Sequence, residues 1–167
     1  LNVIQDRYSE LTVLIDGFTF QNNNLNQPAC NDRVRFCQSW IDRILEKVPN
    51  MRTLNLNGMG FWEWFSYAKH ANFYITHEGT MQHKLGWLLP NLEGLCLTAS
   101  STAPAVIRWH RDQCETSAPL HCLPSDCFAF KDEAGLEMAQ RNREAEFVDL
   151  DRAVSEAVAI LDVHFTD

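Results

Sequence analysis

Apolar residues recur at steps of three and four along residues 34–48, as Val34, Cys37, Trp40, Ile41, Ile44, Leu45 and Val48. That spacing predicts an amphipathic helix with one inward face, because Arg33, Arg35, Asp42, Arg43, Glu46 and Lys47 fall largely elsewhere on it. Asn31 or Asp32 is the expected N-cap and Pro49 the expected stop. A second helix is predicted over residues 80–89, with Met81, Leu85, Leu88 and Leu89 on one side and Pro90 ending it. Each helix leads into a short apolar run, residues 52–56 and 93–97, that reads as a strand. An earlier run of Leu11, Val13, Leu14 and Ile15 predicts another buried strand, closed by a turn at Asp16-Gly17.

Between these elements the pattern is weaker. Residues 21–29 are rich in Asn and predict an exposed loop, and residues 62–70 predict a short helix inside an aromatic stretch. Beyond Thr98, residues 106–109 read as a short strand and residues 113–127 as an irregular segment with two prolines. Helical periodicity returns faintly at 132–143 and more firmly at 147–161, on Phe147, Leu150, Val154, Ala157, Val158 and Leu161. The alternating tail, residues 161–165, predicts the opening of a further strand.

One phrase occurs twice. Val48-Pro49-Asn50-Met51-Arg52-Thr53-Leu54-Asn55-Leu56 returns 41 residues later as Leu89-Pro90-Asn91-Leu92-Glu93-Gly94-Leu95-Cys96-Leu97. A strand-loop-helix-strand pattern traversed twice predicts an α/β fold of parallel strands with helices on one side, in a single domain spanning residues 1–167. The repeated phrase resembles the strand entry of a leucine-rich repeat, with residues 11–16 as a degenerate earlier copy. A unit of about 40 residues is longer than the common period of about 20 to 29. The chain is closer in pattern to the irregular repeats of fungal F-box-type leucine-rich proteins, where a helix precedes each Pro-Asn-Leu strand. The F-box is absent from these residues, so any ligase role rests on other sequence, and the chain reads as a segment of a longer protein.

The resemblance implies a solenoid segment that binds a protein partner, with substrate recognition as one use. It places Asn55, Asn57, Cys96 and Thr98 beyond or between the inward leucines, facing a ligand. The alternative for Asn55 is that it satisfies neighbouring backbone. Trp62 and Trp64, within Phe61-Trp62-Glu63-Trp64-Phe65, are core filler or, if exposed, the best partner-binding anchors in the chain.

Composition narrows the partners. A formal charge of -8 argues against nucleic acid and anionic membrane, because phosphate neutralisation needs an excess of Lys and Arg. No apolar run reaches the length of a membrane span, and the start carries no basic-then-apolar signal pattern, so an intracellular protein, cytoplasmic or nuclear, is expected.

Candidate chemistry is thin, and neither cofactor nor metal is implied. Asp16 ends a strand and is followed by Gly17, the position a doubly wound metal-dependent nuclease or hydrolase gives a metal-binding carboxylate. Asp149, Asp151, Asp162 and Asp167 are its conceivable later partners, and a plain turn is the simpler reading. His110, Cys114, His121, Cys122 and Cys127 hold enough soft ligands for one zinc ion but lack tight paired spacing. A disulfide among the three cysteines, a Cys114 nucleophile with His110 or His121, and unpaired thiols are the other readings. Cys37 and Cys96 fit buried thiols on a helix and a strand.

Overall fold

The computed structural model describes residues 2–17, 19, 28–77, 80–98, 103–114, 118–130 and 145–166. The loop expected at residues 21–27 and the helix expected at 132–143 lie outside them. The chain gathers into two compact units, residues 1–71 and 72–167.

The first unit runs α1 (Asn2–Arg7), β1 (Thr12–Ile15), α2 (Pro28–Leu45), β2 (Arg52–Asn55) and α3 (Phe61–Ala68). Strands β1 and β2 pair in parallel, Leu14 opposite Leu54 and Ile15 opposite Asn55, and Leu56 N–H extends the ladder to Ile15 C=O at 2.8 Å. A parallel pair needs a crossover, and α2 supplies it. Pro28 stands in the first turn of α2, where its missing N–H costs nothing, so Asn31 and Asp32 lie inside the helix rather than capping it. The inward face of α2 buries Ile41 and half-buries Val34, Cys37, Ile44 and Leu45. Trp40, grouped with that face by spacing, points outward instead. β2 ends at a turn where Gly58 adopts a φ of 81°, the left-handed region glycine enters at no steric cost. Gly17 has another reason to be glycine: a Cβ there would lie 2.6 Å from Asn57 Oδ1 and 2.8 Å from Cys37 Cβ. In α3 the i, i+4 pair Trp64 and Ala68 is buried.

The second unit runs β3 (Phe73–His77), α4 (Thr80–Leu88), β4 (Glu93–Leu97), α5 (Ala103–Cys114), β5 (Leu120–Cys122), a 3-10 turn (Ser125–Cys127), β6 (Phe128–Phe130), β7 (Ala145–Phe147) and α6 (Leu150–Thr166). β3, β4 and β5 form a parallel sheet in chain order, with α4 and α5 as crossovers. β4 lies between its neighbours and buries Gly94, Leu95 and Cys96 in succession, the near-continuous burial that marks a parallel strand covered on both faces. Leu95, Leu123, Cys127 and Ala153 form a core cluster, with Phe73, Leu97, Phe128, Ala157 and Ile160 packed against it. β6 and β7 pair antiparallel, and the Phe128 and Phe147 rings lie 4.9 Å apart. Asp149 caps α6, its Oδ1 accepting from Arg152 N–H at 2.9 Å.

Other expectations change. Residues 106–109 belong to α5, because Val106 and His110 face inward one turn apart and Pro104 sits in the tolerant first turn. The tail continues α6 rather than opening a strand, and Phe147 belongs to β7. β3, which no pattern predicts, and β5, inside the segment expected to be irregular, complete the parallel sheet. The architecture is mixed α/β with small parallel sheets.

Candidate functional site

The repeated phrase folds alike in both places. Val48 C=O accepts from Met51 N–H at 3.1 Å, and Leu89 C=O accepts from Leu92 N–H at 3.0 Å. Each is a four-residue turn with proline second, a position its fixed φ favours, and a strand begins at the next residue. The buried leucine then differs, Leu56 at the end of the first phrase and Leu95 two places earlier in the second, while Leu54 and Leu97 are half-buried.

The residues expected to face a partner are largely used inside the molecule. Asn55 Nδ2 donates to Gln38 Oε1 at 2.9 Å, and Asn55 Oδ1 accepts from Asn57 N–H at 2.9 Å. Asn57 Nδ2 reaches Val34 C=O at 3.0 Å and Gln38 Oε1 at 3.2 Å, while Gln38 Nε2 donates to Asp42 Oδ1 at 2.7 Å. This network ties the end of β2 to α2, so both half-buried asparagines satisfy interior groups. Cys96 and Thr98 are buried, and Trp64 is only 2% exposed. Trp62, two residues earlier on α3, is 65% exposed because the helix turns it to the opposite side.

The candidate chemical groups have local partners of their own. Asp16 Oδ1 accepts from Thr19 Oγ1 at 3.4 Å, and Asp149 is occupied as a cap; Asp167 lies outside the described residues. Cys37, Cys96, Cys122 and Cys127 are thiols rather than disulfide partners, and the Cys114 side chain lies outside the described residues. Burial pushes the Cys127 thiol up, away from the reactive thiolate. His110 is buried in α5, with Nδ1 2.7 Å from Gln82 Nε2, and burial, assisted by His83, pushes its imidazole down towards the neutral form. Among the described residues no three His, Cys, Asp or Glu side chains are placed to hold a metal ion.

A titratable cluster is built among the described residues, and spacing gave no sign of it. Glu93 at the start of β4 lies between His121 of β5 and His164 of α6, with Oε1 2.6 Å from His121 Nε2 and Oε2 2.9 Å from His164 Nδ1. An ionised carboxylate only accepts, so both ring nitrogens carry the protons. Burial would raise the Glu93 carboxyl, but hydrogen bonds from the two imidazoles, with their charge, outweigh it and hold it below the usual carboxylate range. The cluster joins α6 to the sheet.

The most exposed aromatic side chains, at half exposure or more, stand on helices. On α2, Phe36 is 65% and Trp40 50% exposed, and the Arg43 guanidinium lies 4.6 Å over the Trp40 ring. On α4, Trp87 is 58% exposed, and His83 stacks on Trp109 of α5 at 3.8 Å with Trp87 6.1 Å from Trp109. Phe36 had a legible signal, since it lies off the inward face of α2 but one turn from Trp40.

Comparison of the chain with protein-family models, curated proteins and solved structures finds no match. Among the described residues no helix is long and apolar enough to cross a membrane.

Proposed function

We propose that the chain is a non-catalytic protein-binding scaffold of leucine-rich-repeat type, suited to recognising a protein substrate or partner. The single observation that carries this reading is the set of large aromatic side chains held outward on well-anchored helices: Phe36 and Trp40 on α2, Trp62 on α3 and Trp87 on α4. Each leaves apolar area in water that a partner would cover, and tryptophan concentrates binding energy at interfaces. The matching Pro-Asn turns and the chain-order pairing of parallel strands support the repeat character. Recognition thereby moves from the strand-borne asparagines to the helices, with Trp62 retained as an anchor.

Selection of a random peptide library on the folded chain tests this, with the enriched peptides then measured against the triple variant Trp40→Ala, Trp62→Ala, Trp87→Ala. The reading expects enriched peptides that bind the native chain and are lost on the variant. Enriched peptides that bind both proteins equally would contradict it.

A further inference from the structure

The outward side of α2 carries a second periodic stripe. Arg33, Phe36, Trp40, Arg43 and Lys47 follow one another at steps of 3, 4, 3 and 4, the spacing that keeps side chains on one side of a helix. The first four stand in α2, and Lys47 is in the turn that continues it, its N–H bonded to Ile44 C=O at 3.0 Å. All five are exposed. The inward face, on Val34, Cys37, Ile41, Ile44 and Val48, has the same spacing one residue out of phase, so the two stripes lie about 100° apart around the helix, the exposed one beside the buried one.

The stripe contains two large aromatics and three cations and no acid. The acids of α2 stand on its flank, where Asp32 pairs with Arg35 and Asp42 accepts from Gln38. Glu46 falls on the same flank by its position. A chain with a formal charge of -8 has therefore gathered cations around its exposed aromatic pair. Arg43 lying over Trp40 holds the ring and the charge together before any partner arrives, which lowers the cost of ordering them.

We propose that this stripe docks an acidic amphipathic helix of a protein partner, one with apolar residues at three- and four-residue spacing flanked by Asp and Glu. The inference rests on the protein-binding reading above and names the class of partner. Phe36 and Trp40 meet the apolar seam of such a helix, and Arg43 and Lys47 meet its flanking carboxylates. An anionic membrane is the poorer occupant, because net negative charge on the rest of the chain opposes approach to it.

The test uses a designed helical peptide with Leu at those spacings and Glu at the flanking positions, titrated by calorimetry against the whole chain. Two control peptides carry Gln or Lys in place of Glu. Tight binding is expected for the Glu peptide, weakened at least about tenfold by Arg43→Glu with Lys47→Glu, by added salt, or by Trp40→Ala. All substitutions are at exposed positions, and circular dichroism with thermal melting checks each variant. Equal binding of the Gln peptide would overturn the acidic class and leave the scaffold reading standing. No peptide binding, with association instead to phosphatidylserine vesicles, would overturn the proposal in favour of a membrane surface. Self-association abolished by Arg43→Glu would overturn it in favour of a second copy. Absence of all binding would overturn it outright, while library peptides lost on the aromatic triple variant would still separate that result from failure of the scaffold reading.

Discussion

The ring of Tyr74 on β3 lies against Gly94 on β4, so closely that a Cβ at residue 94 would stand 2.2 Å from Tyr74 Cζ. The two residues are register partners in the parallel pair. Thr53 holds the matching position of the first repeated phrase, opposite Val13 rather than an aromatic ring. The second phrase thus carries glycine for reasons of space. Gly94→Ala is expected to destabilise the second unit by about 1 to 3 kcal/mol, the usual cost of overpacking. Adding Tyr74→Leu should recover part of that loss, and urea denaturation of the two variants measures it.

Asn55 offers a contrasting case. Its side chain is bonded to Gln38 and to Asn57 N–H, so Asn55→Ala is expected to cost about 1 to 3 kcal/mol by leaving half-buried groups unpaired. Combining it with Gln38→Ala should cost less than the sum, because the two share one hydrogen bond. Equilibrium denaturation of the four proteins in the cycle gives the coupling, and strict additivity would remove the network from the account.

Acid should weaken the second unit through Glu93. Its carboxyl is held below the usual range in the folded chain, so its contribution is complete above the unfolded carboxyl's pKa and is lost as pH falls through the lowered folded value. Glu93→Gln is expected to be less stable than the native chain near neutral pH, and the difference should shrink as pH falls through and below the ordinary carboxylate range. Denaturation midpoints across that range measure the difference, which should not grow towards acid.

How much of this was legible in the sequence follows from the length and strength of each pattern. α2, α4, β2 and β4 could be read because their apolar residues recur over one or more full turns and each strand follows a Pro-Asn turn. β3 and β5 are five and three residues long, too short for periodicity to separate strand from loop. In α5 the β-branched pair Val106-Ile107 suggested a strand, but inward packing of Val106 and His110 outweighs that propensity. Of the candidate site, Trp62 was legible, and Phe36 left a signal in its position off the inward face of α2. Spacing could not show that Gln38 reaches Asn55, 17 positions away, or that Glu93 meets His164, 71 positions away. Those contacts exist only once the chain has folded.

The most direct test of the central claim is the affinity of one library-selected peptide for three single variants, Trp40→Ala, Trp62→Ala and Thr98→Ala, each checked for folding. The account predicts that one or both tryptophan variants lose at least about tenfold in affinity, an anchor-sized effect, while Thr98→Ala binds as the native chain does. Unchanged binding by both tryptophan variants together with loss in Thr98→Ala would contradict it, and would return recognition to the strand ends.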